Sequence, residues 1–417
     1  MMNRYTKKSS AADYAPGIER IELSESHTGL RLALALLALL VGAATIAFSV
    51  RGVFSRSSGW NEITVETSEM NCAGDFSFIY ELGTGEESAS REYKRLARLY
   101  SDLTVKAYQQ FSMTDNIDGV HNLHYINAHP NEDISVDPML MRALRLMAGK
   151  GGNLLYLAPV YEDCRSLLSC DTPEEAAALD PRQDEEEAAF ISDVIDFLNG
   201  GAVSLSFPTE NTVRLNVTED YLSFAADSEI TQFLDFGVAA NAVIADSIAD
   251  GLVESGYSFG YLRSCDGFCR SLGAETSLEV SVPRRQNAAV QIAGRAALSG
   301  MQSLVVLRDF PVSSGEYSYF DMGDGQYRTA YIDPTDGLCK AATDYMMSWS
   351  EEYSCTELFL QVLPIFAADT LDAQSIRILS DSGIHSFWGE GNSVICNSPD
   401  LTFVPDTTSG FVFELRG

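Results

Sequence analysis

Residues 311–337 read PVSSGEYSYFDMGDGQYRTAYIDPTDG, and this run limits the fold more than any other stretch of the chain. Gly323-Asp324-Gly325 supplies a tight turn between flanks that alternate apolar and polar residues, and Asp333-Pro334-Thr335-Asp336-Gly337 closes the run with a second corner. Alternation with period two fits strands that bury one face, so this part of the chain is committed to an antiparallel hairpin. Elsewhere the periodicity changes in blocks. Helical spacing is expected over 88–111, 138–147 and 185–198, and again where Val238, Ala242, Ala245, Ala249 and Leu252 recur ahead of Gly256. Strands are expected over 76–82, 203–207, 212–217, 221–225, 259–264, 277–282, 302–307 and 326–332. Strands and helices that segregate without regular βαβ alternation indicate an α+β fold, a single domain of mixed sheets and helices.

The N-terminal region points elsewhere. Residues 32–50 form an uncharged apolar run, about 28 Å long as a helix, which matches a bilayer core. Arg4, Lys7, Lys8, Arg20 and Arg31 precede it, while Arg51 and Arg56 follow. The positive-inside bias then gives a cytoplasmic tail (1–29), one transmembrane anchor (30–50), a stalk (51–71) and an extracytoplasmic domain (72–417) of a single-pass cell-membrane protein. A cleaved signal peptide with a processing site near Ala47-Phe48-Ser49 is the rival reading, and the long polar tail favours the retained anchor. All eight cysteines lie beyond the apolar run, so the short-spaced pairs Cys164/Cys170 and Cys265/Cys269 are disulfide candidates on the outer side. The acidic stretch 171–187 is expected to be a solvated surface excursion.

A net charge of −31 excludes nucleic acid as a partner, because a phosphate backbone would be repelled. The same field opposes any phosphate-bearing cofactor unless a metal ion, a helix N-terminus or a cluster of backbone N–H groups offsets it.

Ser313-Ser314-Gly315, the hairpin and the Asp333-Pro334 corner together resemble the TSG…Y…G…HIIDPxTG segment of the FAD:protein FMN transferases, with Ala330 at the family's His and Asp336 at its Thr. Residues 235–246, DFGVAANAVIAD, are similar to that family's DLGGIAKGYAVD loop and helix. Asp235, Gly237, Ala240 and Asp246 match, whereas Val238, Asn241 and Ala242 replace a Gly, the Lys and a further Gly. Gly267 resembles one glycine of the family's Gly-Gly-Asp turn, with Asp266 beside it. The segment Phe111-Ser112, Ile126-Asn127 and Gly151-Gly152 with Pro159 extends the likeness, which runs from about 72 to 390.

The resemblance, to a divergent member lacking several motif residues, implies FAD as cofactor, Mg²⁺ as its metal and a membrane-associated flavoprotein as partner. It implies cofactor contacts from Asp235, Gly237, Ala240, Asp246, Gly267, Ser313, Ser314, Gly315 and Asp333. Thr356 and Leu360 stand at the family's metal-binding Asp and Thr, so no metal ligand and no catalytic residue is assigned; Glu357 is one position away. Two functions follow. One is a membrane-anchored extracytoplasmic homologue that keeps the scaffold and serves as a flavin- or protein-binding module. The other is active Mg²⁺-dependent transfer of FMN from FAD to a Thr or Ser of an acceptor flavoprotein.

Three further patterns are set aside. Gly256-Tyr-Ser-Phe-Gly260 has the spelling of a nucleophile elbow but follows a helix and precedes a strand, the reverse of that motif. His121, His124 and His129 are expected to be loop residues, and 321–332 lacks a calcium loop's closing Glu.

Overall fold

The computed structural model describes residues 57–273, 277–286, 289–313, 316–323, 326–399 and 401–416. The α+β class is observed, with mixed sheets and helices. The transmembrane part of the expectation is corrected. Residues 30–50 lie outside the described residues, and among the described residues no helix is long and apolar enough to cross a membrane. The longest of these helices, α1 (Ala89–Phe111), exposes Arg91, Lys94, Arg95 and Arg98 along one face, which a bilayer would not accept. The single-pass topology, the extracytoplasmic location and the membrane partner depended on that span and are not carried further.

Nine strands form the main sheet: β1 (Gly59–Ile63), β2 (Phe76–Leu82), β3 (Gly260–Ser264), β4 (Phe268–Ser271), β5 (Ser303–Arg308), β6 (Tyr345–Ser350), β7 (Ile384–Glu390), β8 (Ser393–Cys396) and β9 (Val412–Leu415). Their order across the sheet is their order along the chain. Neighbours pair antiparallel, for example Val305 with Phe268 and Met347 with Phe387, except that β9 joins β8 in parallel. Gly59–Ile63 lies in the stretch expected to be a stalk.

Period-two alternation divides the central strands between two cores. Val305, Leu307, Met346, Trp388 and Ile395 enter the helical core. Leu304, Met347, Phe387, Val394 and Cys396 enter a second core under the hairpin Ser277–Gln286/Ala289–Ser299. All six residues of β6 are buried because both of its faces are covered.

The helical layer is built from excursions between consecutive strands: α1, α2 (Pro138–Lys150), α3 (Ala158–Leu168), α4 (Glu185–Asn199) and α5 (Ala240–Glu254) between β2 and β3, then α6 (Cys355–Phe366) and α7 (Ala373–Asp381) between β6 and β7. Asp137 caps α2 ahead of a proline at its first position. Ser354 and Glu357 form a reciprocal capping box on α6. Ala242, Ala245 and Ala249 give α5 a narrow buried face, and a Cβ at Gly251 would lie 2.6 Å from Leu103 of α1.

The hairpin of 311–337 is present as Tyr319–Asp321 paired with Tyr327–Thr329, with Gly323 at φ +86°. Residues 221–225, expected to be a strand, lie in the helix Glu219–Asp227. The Thr218 side chain accepts from the Tyr221 amide, and Tyr221 and Ala225 bury at i, i+4 spacing. Within the acidic stretch Asp180 is not solvated: it is 1% exposed and accepts from Arg328 at 2.6 Å.

Candidate functional site

The site is built on the turn that leads into α5. Asn127 fixes its approach: its side-chain oxygen accepts from the amides of Phe233 and Leu234 at 3.0 and 2.9 Å, and its Nδ2 donates to the Leu234 carbonyl at 3.0 Å. Asp235, itself buried, then accepts from the Gly237 amide at 2.7 Å and from Arg165 of α3 at 2.6 Å. Gly237 sits at φ +53°, and a Cβ there would lie 2.4 Å from the Tyr161 ring. Both observations require glycine. They also mean that Tyr161 covers the face of Gly237 that would otherwise be open.

One turn on, the Asn241 amide donates to Asp266 at 3.0 Å, and Ser264 Oγ donates to the other oxygen of that carboxylate. Burial pushes the Asp266 carboxyl above its ordinary value, while the bonds from Ser264 and Asn241 oppose the shift. Tyr161, Arg165, Gly237, Val238, Ala240, Asn241 and Asp266 share one cleft of about 260 Å³ with Tyr317, Ser318 and Ala330. Burial holds the Cys164 thiol on its wall up at about 12, so it is not a thiolate nucleophile at neutral pH.

The remaining residues with an implied contact role are placed elsewhere. Asp246 points into the core, accepting from the amides of Cys355 and Thr356 at 2.9 and 2.8 Å and from Thr356 Oγ1 at 2.7 Å, with Arg270 3.3 Å away. It joins α5 to the first turn of α6, where a carboxylate is favoured by the helix dipole. Gly267, at φ +110°, packs its backbone on β5, where a Cβ would lie 2.6 Å from the Val306 carbonyl. Exposed Ser313 donates from its amide and hydroxyl to Glu316, at 2.9 and 3.1 Å. Ser314 and Gly315 lie outside the described residues. Asp333 accepts from the amide and hydroxyl of Thr335 and lies 3.0 Å from Lys340, which also reaches Asp336 and Asp369. Burial alone would raise the Asp333 carboxyl; the Thr335 bonds and the Lys340 ammonium bring it below its usual value.

Among the described residues no three or more His, Cys, Asp or Glu side chains are grouped so that they could hold a metal ion. Glu357 is turned to Lys150 at 2.6 Å, and Leu360 is buried beside Gly151. Mg²⁺-dependent transfer is therefore corrected: the expected metal position carries a leucine and a threonine already bonded to Asp246. The three histidines flank and occupy the short helix Leu123–Ala128, where His121, Tyr125 and His129 stack ring on ring. All eight cysteines are free thiols, so neither short-spaced pair is bonded.

The residues present do not fit a diphosphate. The glycine face that phosphate would approach is under Tyr161, the one guanidinium in the cleft is bonded to Asp235, and the position facing Asn241 is a carboxylate. Sequence reasoning missed Tyr161 and Arg165, since neither belongs to a recurring pattern; Arg165 was detectable only as a rare cation in an acidic chain.

No protein-family model and no curated protein matches the sequence. Solved structures do match. The ApbE protein from Thermotoga maritima superposes with a TM-score of 0.53 at 14% identity, over 84% of this chain and 99% of that one. The flavin transferase ApbE from Vibrio cholerae gives 0.48 at 13% identity, over 85% and 100%, and the flavinyl transferase ApbE from Pseudomonas stutzeri in its apo form gives 0.47 at 14%, over 84% and 94%. At this identity the likeness to the first is one of fold. The chain has an ApbE-like fold, and its own cleft must decide the chemistry.

Proposed function

We propose that this chain is a binding protein on the flavin-transferase scaffold, one that holds the uncharged ring portion of a flavin in the Gly237 cleft and does not transfer FMN. The observation that carries the reading is the Tyr161 ring seated on Gly237. It leaves the cleft an aromatic wall in place of an open run of backbone amides. A space of about 260 Å³ suits a fused ring system and is small for a dinucleotide. The Asp266 carboxylate offers acceptors to a ring imide N–H, and the same charge repels phosphates. A flavoprotein is the partner class that this reading implies.

Titration of the purified chain with riboflavin, FMN and FAD, with and without Mg²⁺, tests it through flavin fluorescence and AMP release. Riboflavin is expected to bind at least as tightly as FAD, Mg²⁺ to change neither affinity, and AMP release to stay at background. FAD binding strengthened by Mg²⁺ together with AMP release above background would overturn the reading.

A further inference from the structure

A larger cavity, of about 1060 Å³, opens where α7 crosses the ends of β7 and of the strand Ser277–Gln286. Its composition is unusual for this chain. Among the described residues, Arg284, Arg285, Arg377 and Arg416 line it against three carboxylates, Asp344, Asp381 and Glu390, in a protein whose net charge is −31. Buried Trp388 and Ile376 give it an apolar floor.

The wall is built independently of any ligand. Arg284, 2% exposed, donates to Asp344 at 3.0 Å and to the carbonyls of Ser393 and Gly391, so its guanidinium is held in one orientation. Gly389 permits this: a Cβ there would fall 2.1 Å from Asp344 and 2.5 Å from Arg284. Arg416 is shared between Glu390 and Glu414. Arg377 differs from the other three. It is exposed at the rim on α7 and has no ion pair or hydrogen bond among the described residues. An exposed guanidinium without a protein partner, set beside an apolar floor, is an arrangement that recognises a charged head attached to an apolar body.

We propose that this cavity is a binding site for an organic carboxylate with an apolar body, the carboxylate meeting Arg377 and the body lying on Trp388 and Ile376. The acidic exterior opposes every anion and opposes a polyphosphate most, so the attraction is local to the guanidinium cluster and favours a singly charged head. An acyl chain and an aromatic ring both meet this chemistry, and the two are separated by experiment.

The probe is 8-anilinonaphthalene-1-sulfonate, an apolar-bodied anion that fluoresces when desolvated, added to the native full chain. One saturable site is expected. 1-Naphthoate and decanoate are then compared as displacers: displacement by naphthoate alone assigns an aromatic body, and by decanoate alone an acyl one. The uncharged analogue N-phenyl-1-naphthylamine should bind about tenfold more weakly, and Arg377→Glu should weaken the anionic probe by about tenfold without changing the circular dichroism or Tm. Equal binding of the charged and uncharged probes, failure of both carboxylates to displace, or an unchanged affinity in Arg377→Glu would each overturn the proposal. Arg377→Lys, which keeps the charge, should retain most of the affinity and so separates charge recognition from a local structural effect.

Discussion

The Gly237 cleft and the arginine-lined cavity contain similar side chains and use them in opposite ways. In the cleft the charged groups are already bonded within the protein: Arg165 donates to Asp235, and the neutral Asn241 and Ser264 donate to Asp266. In the cavity Arg284 is consumed in the same manner, yet Arg377 has no partner among the described residues and Arg416 is half exposed. A charge whose partner is built in contributes rigidity, whereas a charge without one remains available to a ligand. The first region is thus suited to an uncharged ring and the second to an anion.

The comparison breaks most readily at Asp246, on the helix that follows the Gly237 turn. Asp246→Ala removes the acceptor for two amides, a hydroxyl and Arg270, and is expected to cost about 3 kcal/mol, measured by urea denaturation. Gly237→Ala comes next. The new methyl meets the Tyr161 ring at a positive φ, and a loss of about 2 kcal/mol is expected, part of which Tyr161→Leu in the same chain should restore. No loss in Gly237→Ala would show that Tyr161 does not cover the cleft.

A smaller effect concerns how α3, which carries Tyr161 and Arg165, is mounted on α4. Asp163 and Glu187 form a half-buried carboxyl pair, and Asp163 Oδ2 and Glu187 Oε1 have no donor among the described residues, so a proton shared between them is expected. Burial, and then the neighbouring Asp163, pushes Glu187 up to about 7; burial likewise raises Asp163. Because both values are raised, the stability that the pair contributes is complete below about pH 4 and lost as pH rises through about 7. Glu187→Gln should therefore melt roughly 1–2 °C above the parent chain at pH 8 and show no advantage at pH 4. An equal shift at both pH values would dismiss the shared proton. The smallest effect is expected at Arg377→Ala, within about 0.5 kcal/mol of the parent in stability, since the side chain holds nothing in place.

Much of the frame was legible because it rests on local periodicity. The Val238, Ala242, Ala245, Ala249 and Leu252 spacing marked α5, and the alternation around Gly323 marked the hairpin. Residues 221–225 misled because Tyr221 and Ala225 are also two points of a helical stripe, and Thr218 decides the matter as a cap. The site was legible along the turn Asp235–Gly237, the start of α5 and Asp266. Its cover comes from Tyr161 and its counter-charge from Arg165, which reach it through tertiary packing that no local pattern reports. Asp246 shows a related limit: its position on the helix was readable, but the direction of its side chain depends on where α6 begins. Asp180 looked like one more solvated acid until Arg328, far along the chain, supplied its partner.

A sheet laid down in chain order also fixes a schedule for biosynthesis. Each strand leaving the ribosome finds its neighbour already made, so the frame can grow from one edge, with one long wait while the helices between β2 and β3 are made. The parallel strand β9 arrives after the other eight and brings Arg416 with it. Nascent protein would therefore acquire the Gly237 turn early and its guanidinium cluster last, when the rest of the architecture is already in place.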